Sequence, residues 1–285
     1  MDYEALVKTI ESLPPLSDSA VLIKKLYTEG AENVDIIKLV RIVESDALLA
    51  ANILKMINAP FYGFSTKIAS VAQAVSLFGT HTVYGLVINY AMNEKIKAKT
   101  QAYNLSPSEF NDMCHIQSHL MMQWYSKIDL RHAQFLAPLA LIMESGKLVL
   151  AGEIARSAYT LEFKQGLKDC ESIEKYEYDL IGTTSYHLSG LLFEHWNLEP
   201  LYVTMLKNLD IEDEYISGKM EYYIDTLDVI RTAVNVKNFL TDESIAKASL
   251  IVSDMDLDHV HFEKIAHRIK AAYYKKKEVK SLFRT

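Results

Sequence analysis

Apolar residues in the first hundred positions recur at intervals of three and four, run after run, and a chain with that spacing buries a continuous stripe only by coiling into helices. Val21, Leu22 and Leu26, with Ile23 beside them, fall on one side of a first such helix, which Ser17 or Asp18 can cap. Ile36, Ile37, Val40 and Val43 repeat the stripe. Asp46 then supplies an N-cap for a third helix that turns Leu49, Ile53 and Met56 inward. Each run is bounded by residues that cannot continue it. Leu13-Pro14-Pro15-Leu16 precedes the first and Gly30 ends it. Asn58-Ala59-Pro60-Phe61-Tyr62-Gly63 closes the third, because Pro60 disfavours helical geometry at Ala59 and Gly63 permits a tight turn. Residues 70–78 and 80–97 complete the set, parted by Gly79.

Residues 100–106 carry little periodicity and read as the connection to a second helical layer. Ser106 can then serve as N-cap, Pro107 suits the first helical position, and Glu109 completes a capping box, which predicts a helix over 107–128. A further helix is expected over 132–156, followed by the region 185–196 and by helices over 222–240 and 262–274. Phe262, Ile265, Ile269 and Tyr273 form the stripe of the last. Ten Gly and six Pro in 285 residues leave room for few turns, so the expected fold is all-α. The weak stretch near residue 100 suggests two parts, 1–99 and 100–285.

A formal net charge of −7 repels nucleic-acid phosphate and anionic membrane, so either partner would require a local basic patch. Lys275, Lys276, Lys277, Lys280 and Arg284, against Glu278, are the dense candidate, and a solvated helix end is the ordinary reading of such a run. Nucleic acid is not an expected partner. Cys114 and Cys170 are isolated thiols without a second Cys at ligand spacing, and are expected to be reduced. Met1-Asp2-Tyr3-Glu4 is acidic where a secretory signal is basic, and no run of about 18 apolar residues could span a bilayer. A cytoplasmic protein with no membrane span is the expectation.

Several segments stand in an order and spacing that resemble a known family: Leu13-Pro14-Pro15-Leu16, Asp46-Ala47-Leu48-Leu49, residues 54–58, Phe61-Tyr62-Gly63, Gln73-Ala74-Val75 and Leu77-Phe78-Gly79. They are similar to the N-terminal half of the HDOD family, bacterial signalling domains related to metal-dependent HD phosphohydrolases. The resemblance continues more thinly through Phe135-Leu136-Ala137, Gly146-Lys147-Leu148-Val149-Leu150, Glu177, Gly182, Leu192 and Trp196, and ends near residue 210. It implies a multi-helix HD-like fold, in which an N-terminal helical bundle packs on a degenerate HD-type core with a C-terminal helical extension.

The resemblance also says which residues should hold metal. An HD hydrolase needs imidazoles and carboxylates from several helices, because two ions must be gripped a few ångströms apart to activate water. His115 falls at the first histidine position. Met143-Glu144-Ser145-Gly146-Lys147 stands where His-Asp-x-Gly-Lys is expected, and no His-Asp dipeptide occurs anywhere in the chain. A thioether cannot replace an imidazole on a hard divalent ion. Ser185 takes the next histidine position, with His187 two residues on, and Asn208-Leu209-Asp210 replaces a histidine pair. Loss of a mere supporting partner costs a metal site about 10–100-fold in affinity, and here most ligands themselves are gone. No cofactor is expected. Lys147 beside a hydrolytic centre would neutralise phosphate; without metal it would pair with Glu144 or lie at the surface.

Other patterns carry less. His115 and His119 share a helix face at metal-pair spacing but lack the Glu of a metalloprotease motif between them. His259 and His261, near Asp254, Asp256 and Asp258, read as an acid-capped helix start. Neither a Gly-x-Gly-x-x-Gly turn nor a P-loop is present. The function expected is a non-catalytic bacterial signal-transduction or scaffold protein that binds a protein partner. The alternative is a nucleotide or cyclic-dinucleotide sensor using the remnant pocket of His115, Met143, Glu144, Lys147, Ser185 and His187, with Tyr186 and Trp196 nearby. A metal-dependent phosphohydrolase is the third reading.

Overall fold

The structure, a computed structural model, describes residues 2–28, 33–59, 62, 66–96, 99–210 and 218–282. The punctuation assigned to Gly30, Pro60, Phe61 and Gly63, the end of the helix expected over 80–97, and Arg284 lie outside the described residues. The helices run in the order α1 (Tyr3–Glu11), α2 (Asp18–Leu26), α3 (Ile36–Ser45), α4 (Ala47–Ile57), α5 (Val71–Ile96), α6 (Pro107–Tyr125), α7 (Leu130–Ile142) and α8 (Ser145–Arg156). They continue as α9 (Thr160–Asp169), α10 (Ile173–Ile181), α11 (Ser185–His195), α12 (Pro200–Asn208), α13 (Lys219–Ala233), α14 (Asp242–Asp254) and α15 (His259–Leu282). No strand is present among the described residues beyond an isolated bridge between Val234 and Phe239.

The early helices form where the stripes require, and their starts are capped by side chains. Ser17, Asp35 and Asp46 accept hydrogen bonds from the backbone of Ala20, Lys38 and Leu49. The buried faces keep Ile23 and Val43 of the expected stripes and are otherwise rotated from them. Ala20 and Ile23 carry α2 inward and Leu22 is exposed; Leu39 and Val43 carry α3 while Ile36 and Ile37 face out. Neighbouring apolar residues at 21–23 and 36–37 leave two faces equally plausible by spacing, and tertiary packing chooses. Gly79 interrupts α5 with φ 80 and ψ 165, a backbone region open to glycine, and so separates the two predicted helices.

The capping box at Ser106 is present in both directions, with Glu109 N donating to Ser106 Oγ at 3.2 Å and Ser106 N donating to Glu109 Oε2 at 3.1 Å. α6 stops at Tyr125, short of the 107–128 expected. The stretch before it is more than a connection: Thr100–Tyr103 is a 3-10 turn whose Tyr103 is buried. The single helix expected over 132–156 is two, broken at Met143 and Glu144. Both halves are buried almost all round, so no polar stripe marks the break. The helix expected over 222–240 begins at Lys219 and ends at Ala233, where Asn235 Oδ1 captures the backbone N–H groups of Lys237 and Asn238 and turns the chain. In α15 the stripe Phe262, Ile265, Ile269 and Tyr273 is buried as expected, and Asp258 caps it through His261 N at 2.9 Å.

α6 packs on α7 and α7 on α5, α8 lies across α11, and α11 packs on α12. α1 closes over α8 and α11, held by Thr9 Oγ1 donating to Glu153 at 2.8 Å. Trp196 Nε1 donates to Pro14 O at 3.1 Å, which fastens the Pro-Pro turn to the end of α11. α13, α14 and α15 form the last layer, with α15 against α6 and Lys277 paired with Glu109 at 3.2 Å. The stretches Val71–Ile96 and Leu130–Arg156 are long and apolar enough to cross a membrane, yet 56% and 89% of their most apolar windows are buried inside this fold. One apolar core runs through all these layers.

Candidate functional site

The turn between α7 and α8 delivers Glu144 to the interior. As N-cap of α8 it makes no side-chain capping bond; its carboxylate points inward, fully buried. Gln117 of α6 donates to Oε1 at 2.8 Å and the Tyr186 hydroxyl of α11 donates to the same oxygen at 2.9 Å. Lys147, one turn along α8 and 1% exposed, returns its ammonium to Oε2 at 2.8 Å. That ammonium also donates to Ser185 Oγ at 2.8 Å, stands 3.9 Å from Glu177 Oε1, and lies 4.3 Å from the centre of the Tyr186 ring. Glu177, from α10, accepts from the Tyr103 hydroxyl and from Ser185 N, each at 2.7 Å. Gln117 donates a second bond to Val234 O at 2.8 Å.

Close approach of α8 and α11 makes this possible. A Cβ on Gly146 would lie 1.9 Å from Ser185 O and 2.7 Å from Ser189 N, so only glycine fits. Gly146 N donates to Ser189 Oγ at 2.7 Å, and that hydroxyl lies 2.6 Å from Met143 O. Burial opposes charge on Lys147, Glu177, Tyr103 and Tyr186. Burial pulls the Lys147 ammonium down, but the charges of Glu144, Glu177 and Glu174 overcome it and leave the ammonium above its ordinary range. Burial raises the Glu177 carboxyl, and Lys147 and the Ser185 hydrogen bonds offset only part of that rise. Burial also pushes the Tyr103 and Tyr186 hydroxyls well up, so both remain donors.

A second set of charges adjoins the first. Arg231 of α13 lies 5.2 Å from the centre of the Tyr186 ring, pairs with Asp210, and donates through Nε to Asp228 at 2.5 Å. Burial lowers the guanidinium, but Asp210 and Asp228 hold it charged. Asp210, which stands in the segment expected to carry a histidine pair, therefore engages an arginine.

Of the six expected pocket residues, Glu144, Lys147 and Ser185 are in direct contact. Met143 is fully buried at the same turn. His115 places Nδ1 3.0 Å from the Tyr62 hydroxyl, and its helix neighbour His119 meets the same Tyr62 ring edge-on at 4.9 Å. His187 faces away, toward Lys207 O and the ring of Tyr3. Trp196, expected beside the pocket, is taken up by the Pro14 turn. Tyr103, Gln117 and Arg231 join the site without any sequence expectation. Tyr103 lies in an aperiodic stretch and Arg231 beyond every motif, whereas Gln117, a polar residue in the buried run of α6, is a readable signal.

These residues do not fit a two-metal centre. Oε1 of Glu144 accepts from Gln117 and Tyr186, Oε2 is ion-paired with the Lys147 ammonium, and the position of the second ligand is a serine that accepts from the same lysine. No group of three or more His, Cys, Asp or Glu able to hold a metal occurs among the described residues. A cleft of about 630 Å³ opens instead between residues 170–174 and α13–α14, where Ser172, Glu174, Asp228, Arg231, Asn235 and Lys237 line it. None of the six expected pocket residues is among its lining.

A family model of the HDOD domain matches residues 13–210. No curated protein matches the chain. Among solved structures, a virulence factor from Campylobacter jejuni is 19% identical with a TM-score of 0.56, over 94% of this chain and 99% of that one. A candidate phosphohydrolase from Shewanella amazonensis is 15% identical with a TM-score of 0.68, over 94% and 97%. An HDOD domain protein of unknown function from Geobacter sulfurreducens is 17% identical with a TM-score of 0.58, over 93% and 97%. At these identities the likeness is one of fold.

Proposed function

Because the chain belongs to the HDOD domain family, we propose that it is a non-catalytic bacterial signal-transduction or scaffold protein that works by binding a protein partner. The observation that carries this reading is the Glu144–Lys147 ion pair at 2.8 Å, buried where the family's hydrolytic relatives are expected to bridge two ions. A carboxylate whose Oε1 already accepts two hydrogen bonds and whose Oε2 faces an ammonium at 2.8 Å is poorly placed to hold a metal, and that ammonium repels a cation beside it. A signalling-type role fits the family and the solved neighbours. Partner binding is supported by large apolar side chains left exposed on three consecutive helices: Ile36 and Ile37 on α3, Leu48 on α4 and Leu77 on α5. The partner should be recoverable by cross-linking and tagged capture from the native organism, and capture should weaken for Ile37→Asp and Leu48→Asp. Exhaustive cross-linking that returns no partner, or capture indifferent to both substitutions at once, argues against it.

The 630 Å³ cleft favours a second reading, a small-molecule sensor. Its lining is polar and contains no aromatic ring on which a nucleobase could stack. A thermal-shift screen separates the readings, since a ligand at about 100 times its dissociation constant stabilises by roughly 2.7 kcal/mol.

A further inference from the structure

We infer that the Lys147 ammonium is this protein's own substitute for a metal cation, tethered to α8 and bound by the oxygens that converge there. The inference rests on the non-catalytic reading and says what replaced the chemistry. Around Nζ stand Glu144 Oε2 and Ser185 Oγ at 2.8 Å, Glu177 Oε1 at 3.9 Å and the face of Tyr186 at 4.3 Å. An all-oxygen set of this kind suits a hard cation. Two of the three oxygens belong to positions, 144 and 185, where the family resemblance expects metal ligands. The helices α8, α10 and α11 meet at that point, and α6 joins them through Gln117.

The carboxylates favour a cation between them. Glu144 and Glu177 are both 0% exposed, and two uncompensated negative charges at that depth would oppose folding. Tyr103, Gln117 and Ser185 N each supply a hydrogen bond, but none of them brings positive charge. Arg231, 5.2 Å from the centre of the Tyr186 ring, is occupied by Asp210 and Asp228. Lys147 alone places a positive charge against both carboxylates among the described residues. An HD-type core built this way keeps its helices together without drawing on a metal supply, and deletion of the tethered charge leaves a cavity that an added cation fills.

Thermal unfolding of chelator-treated protein tests this, with Mn²⁺ and ethylammonium chloride as probes. Wild-type protein should respond to neither. Lys147→Ala should lose about 10 °C in Tm, and Mn²⁺ or ethylammonium should each restore several degrees in a saturable way. Lys147→Met, which fills the space without charge, should fall similarly and respond to neither probe. Lys147→Met combined with Glu144→Gln should recover at least half of that loss, and this comparison decides the matter if Lys147→Ala fails to fold. A Lys147→Ala protein as stable as wild type, or one that neither probe restores, overturns the inference and leaves the non-catalytic reading standing. A double variant no better than Lys147→Met overturns it too. Wild-type protein stabilised by Mn²⁺ overturns the inference and the reading together.

Discussion

Glu144 shows how far one side chain's role is set by its surroundings. At the start of α8 a glutamate would ordinarily cap the helix or meet solvent, but here the turn carries it inward and three donors close around it. Gly146 is the residue that permits the approach of α11. Gly146→Ala should destabilise the protein by at least about 3 kcal/mol in urea unfolding, because the added carbon meets backbone that cannot yield. His119 should govern acid stability. Burial, then Arg268, holds its imidazole down at about 4 from 6.5, so between those values the unfolded chain binds a proton that the folded one refuses. Stability is full above the upper value and falls as pH drops through the window, by about 3 kcal/mol. His119→Phe should flatten that slope in unfolding curves taken across the range. At this scale the sequence reveals what is missing more readily than what is present. Met143 and Glu144 can be read as replaced ligands, and Glu144 and Ser185 as candidate neighbours of Lys147, but Tyr103 and Glu177 join the cluster only through the fold.

Helix existence is legible where periodicity and caps are both clear, and α1, α9, α10, α12 and α14 are not among the expected helices; the choice of buried face is legible only where a single face is apolar. α15 has one stripe, and the stripe is the buried face, while α2 and α3 have adjacent apolar residues and bury Ile23 and Val43 of the expected stripes but leave Leu22, Ile36 and Ile37 exposed. The break between α7 and α8 is hidden because a helix buried on all sides has no amphipathic rhythm to lose. Glycine marks the bend in α5 because no other residue tolerates φ 80 with ψ 165. Space is ample there, the nearest atom to an added methyl being Gln134 Nε2 at 3.8 Å, so Gly79→Ala isolates the backbone cost. It should lower stability by about 1–3 kcal/mol in urea unfolding, with little change in helical circular dichroism.

Across the whole molecule, the family core and the C-terminal layer are joined at the buried charges. Gln117 reaches from Glu144 to Val234, and Arg231 links α13 to Asp210 and to the ring of Tyr186. Arg231→Met should strand Asp210 and Asp228 and cost about 3–5 kcal/mol, seen as a lowered Tm. The family match ends at residue 210, so no motif points to this link; α13 and α15 are readable as helices, α14 is not among the expected ones, and all three are silent as to purpose. The central claim is that this HD-type core has exchanged its metal ligands for an internal ion pair. Metal analysis of protein purified without chelators, paired with a manganese-supplemented phosphodiester assay of wild type and Glu144→Ala, tests it most directly. The account predicts no stoichiometric metal and no turnover above that of Glu144→Ala. Iron, manganese or zinc at one or more equivalents, with turnover abolished by Glu144→Ala, would contradict it.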